Sequence, residues 1–208
     1  MNRIMKGFGI CVACLFVLNI LGCGTSQPAH FYLLRALSPA PASTLSDSKT
    51  SNFSLGLGPI SFPKYLDRPQ IVTRTSAHEV DLAEFHKWAE PLNENASHVL
   101  AENLAALLPT NQIVPFPWNR SNPPDYQLSM DVIQFDGKKN QEAVLKVRWT
   151  VMGDEGNTLF LQKTSQFSEP LGSSDYEELV EAMSRMLASL SKEIANAIND
   201  RVPASSTK

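Results

Sequence analysis

From Phe31 onward the apolar and polar positions mark out a series of strands and two helices. Phe31-Tyr32-Leu33-Leu34 predicts a short strand, and the Ser/Thr/Pro/Ala-rich stretch 38–52, without periodicity, predicts a surface loop. Phe53-Ser54-Leu55-Gly56-Leu57 alternates with period two until Gly58-Pro59 and Pro63 break it. Ile71 to Thr75 predicts a second strand of this region, with Glu79 to Phe85 as its hairpin partner. Three strands are predicted further on. In the first, Tyr126, Leu128, Met130 and Val132 share a face, and Ile133 with Phe135 switches the parity, which calls for a bulge near Val132. In the second, Leu145, Val147, Trp149 and Val151 face opposite Lys146, Arg148 and Thr150. A turn over Gly153 to Asn157 leads into the third, Thr158 to Phe167.

Helical spacing appears twice. Ala96, Leu100, Leu104, Leu107 and Leu108 form one apolar stripe between Pro91 and Pro109, two prolines that bound a helix. Ser174-Asp175-Tyr176-Glu177 has the form of a capping box, in which Ser174 and Glu177 satisfy end amides reciprocally. Tyr176, Val180, Met183, Leu187, Leu190, Ile194 and Ala197 then mark one face, which packs on the domain's own sheet or is partly shared with another subunit. The pattern predicts an α+β fold, an antiparallel-rich or mixed sheet packed against two amphipathic helices in a single domain over 31–200. A polar tail, 201–208, follows it.

Composition narrows the classes. The chain has 208 residues, 43% apolar and 19% charged, with a net charge of −3. That balance excludes the basic footprint of a nucleic-acid binder and the charge-rich profile of a disordered chain. The cysteines are Cys11, Cys14 and Cys23, so no disulfide framework or cysteine-based zinc site exists beyond residue 23.

The first 22 residues read as a secretory leader. Arg3 and Lys6 precede a short apolar run from Gly7 to Gly22. Ile20-Leu21-Gly22-Cys23 resembles a lipobox, with Leu21 a less usual middle residue than Ala or Ser. Cleavage before Cys23 would let its thiol take a diacylglyceryl group and its freed amine a third chain (palmitate), and two or three chains anchor stably where one does not. An uncleaved N-terminal helix with Cys23 as bystander is the other reading. Removal of 1–22 takes away Arg3 and Lys6 but no acid, so the net charge of −3 becomes −5. Residues 23–30 are then a lipidated tether. Gly24, where an aspartate would retain a lipoprotein in the inner membrane of a two-membrane cell, points to the outer membrane, periplasmic face.

Catalytic motifs are not found. The histidines His30, His78, His86 and His98 have no metal-ligand spacing, and the nearest approach to a cluster is His78 and His86 around Glu79, Asp81 and Glu84. On an alternating strand His78 and Glu84 would share a face. No G-x-S-x-G, G-x-x-x-x-G-K or G-x-G-x-x-G is present, so no hydrolase elbow, phosphate loop or cofactor site is predicted. Two segments resist a scaffold reading. One is Pro63-Lys64-Tyr65-Leu66-Asp67-Arg68-Pro69, whose prolines restrict a loop carrying an aromatic, a carboxylate and a guanidinium. The other is Trp88-Ala89-Glu90-Pro91-Leu92 at the entry to the first helix. Asp67 and Arg68 either fix the loop by a local ion pair or turn bond, or face a partner. Trp88 reads as core, with its indole N–H bonded to a loop carbonyl.

These segments, Tyr65-Leu66-Asp67-Arg68-Pro69-Gln70-Ile71-Val72 and Trp88-Ala89-Glu90-Pro91-Leu92, resemble the ABC-type transport auxiliary lipoproteins of the paraquat-inducible type. So do Phe31 to Leu34, Val99-Leu100 with Leu104, the strand ending at Phe135, and the final helix from Tyr176. The resemblance implies a non-catalytic, lipid-anchored subunit that binds the periplasm-spanning MCE-domain conduit protein of an envelope lipid transporter and supports membrane integrity. A homo-oligomeric ring is one arrangement it allows. Cys23 takes the lipidation role, and Tyr65, Asp67, Arg68 and Trp88 are partner-binding candidates. The alternative is an independent periplasmic lipoprotein that holds a hydrophobic ligand between sheet and helices.

Overall fold

In the computed structural model, residues 27–37, 53–110, 112–119 and 121–201 are described. The predicted leader, Cys23, Gly24, the predicted loop 38–52 and most of the predicted polar tail lie outside them. Eight strands and two helices follow in the order β1 (His30–Tyr32), β2 (Ser54–Ser61), β3 (Gln70–Arg74), β4 (Val80–Trp88), α1 (Leu92–Leu107), β5 (Gln112–Pro115), β6 (Tyr126–Lys138), β7 (Glu142–Gly153), β8 (Thr158–Pro170) and α2 (Tyr176–Asn199). A short 3-10 turn over Lys64–Leu66 separates β2 from β3.

The long strands β6, β7 and β8 form an antiparallel meander. Along β7 burial alternates without a break, with Ala143, Leu145, Val147, Trp149 and Val151 inside, as the period-two pattern requires. Trp149 is fully buried and its indole N–H donates to Ser165 Oγ at 3.0 Å. The predicted bulge is present: the β6–β7 register slips between Val132 and Gln134. It ejects Ile133 to 39% exposure and returns Phe135 to the core.

One edge of β6 carries β7; the other is shared. Its first half pairs in parallel with β2 and its far end, at Gly137, with β3. The sheet therefore forks at β6, one branch running β2–β5 and the other β3–β4–β1, with the outermost pairs β2–β5 and β4–β1 parallel. The fold is a mixed sheet against two helices in one domain, α+β as predicted.

Helix α2 lies against the meander and against α1, and α1 in turn covers β2 and β5. Both faces of α2 are therefore used within the chain: Val180, Met183, Leu187, Leu190 and Ile194 are buried together with Leu179, Ala182, Met186 and Ile198. Ala197 is only half-buried. Each fully buried Leu, Ile or Met side chain contributes about 1.5–3 kcal/mol relative to exposure.

Four sequence expectations change. β2 does not stop at Gly58-Pro59; Gly58 adopts φ +126°, the register slips between Leu57 and Ile60, and pairing resumes through Ser61. A β-carbon at Gly58 would also lie 2.5 Å from Phe116 Cβ. The capping contacts sit one residue later than predicted. Asp175, not Ser174, is the N-cap and accepts from the Glu177 amide at 3.1 Å, while Glu178 accepts from the Gly172 and Ser173 amides. Glu178 also accepts from the Ser173 hydroxyl, and this bond first, with the two amides, holds its carboxyl below the usual range. Strand β4 runs on to Trp88 instead of ending at Phe85, and β5 was not anticipated.

Candidate functional site

The Pro63–Pro69 loop fills the fork between the two branches. Its 3-10 turn closes through the Leu66 amide to Pro63 O at 2.9 Å and the Asp67 amide to Lys64 O at 3.2 Å. Leu66 is the buried foot of the turn. Beside it, the Tyr65 hydroxyl donates to Asp136 Oδ2 on β6 at 2.7 Å. Asp136 is fully buried, and Arg74 Nε donates to both its oxygens at 2.9 and 3.0 Å. Gln134 Nε2 adds a fourth donation at 2.8 Å, and Arg74 sits over the Tyr65 ring at 5.6 Å. A buried carboxylate is tolerable when paired and hydrogen-bonded in this way. Burial, then the Asp136 carboxylate, push the Tyr65 hydroxyl up to about 12, with Arg74 opposing.

The second segment meets the first. Trp88 is buried, as expected of a core residue, but the link to the loop runs through its backbone amide, which donates to Pro69 O at 2.7 Å. No indole bond to a loop carbonyl is found among the described residues. The Ala89 amide donates to Tyr32 O at 2.9 Å. Glu90 accepts from Asn95 Nδ2 at 2.7 Å, and Asn95 Oδ1 accepts the Leu34 amide at 2.6 Å. Pro91 opens α1 and Leu92 is buried. The segment is thus the junction of β1, β4 and α1.

The four candidate residues part company in exposure. Trp88 is buried, Tyr65 and Arg68 are half-buried and Asp67 is exposed, and Tyr65 alone of the last three has its side chain bonded to the scaffold among the described residues. Among the described residues Asp67 and Arg68 make no ion pair; only their backbone amides bond within the turn. Arg68 Nε is buried without a hydrogen-bond partner. Asp67 lines a hollow of about 130 Å³ with Ile60, Phe62, Lys64, Leu66 and Asn93 at the start of α1. The loop therefore presents a carboxylate and an ammonium around apolar side chains, on a base fixed by Asp136.

Sequence reading passed over Asp136, Arg74, Asn95 and Asn103. The signal for Asp136 was its place directly after Phe135: neighbours on a strand face opposite ways, so two buried neighbours mean both faces are covered. The histidines also fall differently from expectation. His78 lies in the β3–β4 turn, away from the Glu84 strand face. His86 stacks between His30 at 5.1 Å and Tyr176 at 4.1 Å, and its Nδ1 lies 2.7 Å from the Tyr32 hydroxyl. Lys139 Nζ reaches the Tyr176 hydroxyl at 2.7 Å.

This fold and its two interlocked segments define a class. The model of the ABC-type transport auxiliary lipoprotein component matches residues 32–195, and the chain belongs to that family. It is similar to the intermembrane transport lipoprotein PqiC of Escherichia coli (strain K12) and of Shigella flexneri, each 23% identical over 195 residues, covering 91% of this chain and 98% of theirs. A crystal structure of a Xanthomonas campestris protein shares the fold with a TM-score of 0.66 at 17% identity, covering 80% of this chain and 93% of that one.

Proposed function

We propose that this protein is the lipid-anchored, non-catalytic auxiliary subunit of an MCE/ABC-type envelope lipid transport system. Cys23 carries the acyl anchor, the domain sits on the periplasmic face of the outer membrane, and it binds the periplasm-spanning conduit protein there, supporting membrane integrity. The observation that carries this reading is the near end-to-end match to intermembrane transport lipoproteins, 91% of this chain and 98% of theirs. The docking surface is the Pro63–Pro69 loop. Asp67 contacts the partner directly and Arg68 does so through its exposed part, while Tyr65 and Trp88 hold the loop in place.

Crosslinking of whole envelopes followed by purification of the full-length protein tests the assignment. Recovery of an MCE-domain protein is expected; recovery of the chain alone with bound lipid would favour an independent lipid-binding lipoprotein. Cys23→Ala should release the protein from the membrane fraction, and retention there would refute the anchor. Asp67→Ala with Arg68→Ala should weaken capture of the conduit protein while leaving the thermal transition unchanged, since neither side chain makes a hydrogen bond or ion pair among the described residues. Undiminished capture would remove the loop as the docking surface.

A further inference from the structure

The chain leaving β1 carries a row of side chains that the fold does not use. Over residues 31–36 burial alternates: Tyr32, Leu34 and Ala36 pack against the core, while Phe31, Leu33 and Arg35 are exposed. Phe31 is 64% and Leu33 50% accessible, although each lies beside residues the core takes in. Period-two geometry sets 31, 33 and 35 on one face. In the parallel register Phe31 stands opposite Lys87 of β4, which adds an ammonium to the same neighbourhood. β1 ends the strand order, so among the described residues β4 is its one strand neighbour. A hollow of about 580 Å³ opens beside it, with Leu33 and Arg35 on one rim and Glu177 and Glu181 of α2 on the other.

Two apolar side chains on one face, flanked by a guanidinium and an ammonium, form an interfacial pattern. The apolar bodies enter the boundary of the acyl chains while the long cationic stems reach up to phosphates. The carboxylates across the hollow meet the other half of a zwitterionic headgroup, its ammonium. Covalent reach decides which surface lies nearby. Phe31 follows Cys23 by eight residues. An extended chain spans at most about 3.3–3.6 Å per residue, so Phe31 stays within about 29 Å of the lipidated residue.

We propose that the Phe31, Leu33 and Arg35 row, with Lys87 beside it, is a membrane-contact face that seats the domain on the zwitterionic phospholipid headgroups of the bilayer holding Cys23. The inference rests on the lipid-anchored reading above and adds to it a fixed orientation: the β1 edge faces the lipid and β8, the outer strand of the meander, faces away.

The sequence makes the test simple. Cys11 and Cys14 leave with the leader and the Cys23 thiol is acylated, so one introduced cysteine is the single free thiol of the mature chain. Full-length lipidated protein carrying Phe31→Cys, Leu33→Cys or Leu159→Cys would be labelled with a fluorophore and reconstituted into mixed phosphatidylethanolamine and phosphatidylglycerol vesicles. Leu159 is an exposed control on β8. Nitroxide-bearing lipid should quench the labels at 31 and 33 several-fold more than the label at 159, and aqueous iodide should reach only 159. Equal lipid quenching at all three positions overturns the membrane face. Iodide exclusion at 31 and 33 without lipid quenching also overturns it, and gives the face to a second copy of the chain. Failure of the protein to float with the vesicles overturns the anchor itself, and the face with it.

Discussion

Asp136 is the residue on which the two branches of the sheet and the proline-bounded loop converge. Its carboxylate accepts from Arg74, Tyr65 and Gln134 with no exposure to water, so each donor depends on it. Asp136→Ala leaves a guanidinium and a phenol facing an apolar gap and should cost about 3–5 kcal/mol in urea denaturation. Tyr65→Phe removes one charge-assisted bond and should cost about 1.5–3 kcal/mol. Equal losses would mean that Arg74 does not depend on the carboxylate. Tyr65 also sets an alkaline limit. Its hydroxyl is raised in the fold to about 12 from an ordinary 10.0, so the unfolded chain loses that proton first. The stabilisation is complete below pH 10 and is lost as pH rises through 12. An alkaline unfolding step that disappears in Tyr65→Phe is the expected result. Sequence alone concealed this cluster, because Asp136 and Arg74 lie 62 positions apart and each reads singly as a strand's polar residue.

At the scale of elements, β1 is held by side chains more than by the sheet. Three residues pair with β4, and the chain beyond is caught by Asn95 and Asn103 of α1, whose Oδ1 atoms accept the Leu34 and Leu37 amides at 2.6 and 2.7 Å. The His30–His86–Tyr176 stack adds a link from β1 through β4 to α2. Burial first, then His30 and Lys139, lower His86 from its ordinary 6.5, with Asp175 opposing them. The fold therefore prefers neutral His86. Its stabilisation is present above pH 6.5 and falls away as pH drops from there through the lowered folded value, because the unfolded chain takes up the proton first. Protection of the β1 amides against hydrogen exchange, relative to the unfolded-chain rate at each pH, should fall over that window, and His86→Gln should flatten the dependence. An unchanged dependence would place the titrating group elsewhere. Strand β7, with one clean buried face, and α2, with a long apolar stripe, were legible in the sequence. β5 was not: four residues ending in Pro115 offer no period, and its partner β2 is 58 positions upstream. Asn95 and Asn103 were missed because polar residues beside a helical stripe read as solvent-facing, whereas here they serve backbone amides that no strand satisfies.

For the whole molecule, the mixed α+β architecture and the family were both readable, and for different reasons. The architecture followed from periodicity; the family followed from the Tyr65 to Val72 and Trp88 to Leu92 segments, which the fold turns out to use as fastenings where strands, loop and helix meet. Of the four partner-binding candidates, Asp67 is exposed, Tyr65 and Arg68 are half-buried and Trp88 is buried. The fork at β6 carries a consequence for the order in which the protein can assemble. Leu55 pairs with Tyr126 and Thr73 with Gly137, so both branches wait for a strand made some 64 to 71 positions after them. Such distant pairings are slow to form. A chain emerging from its N terminus can form the β3–β4, β1–β4 and β2–β5 pairs, but it cannot join the two branches until residue 138 has appeared, and the meander that follows then supplies the template in one local stretch. The leading half thus waits as two separate branches, and their union is the late event of assembly.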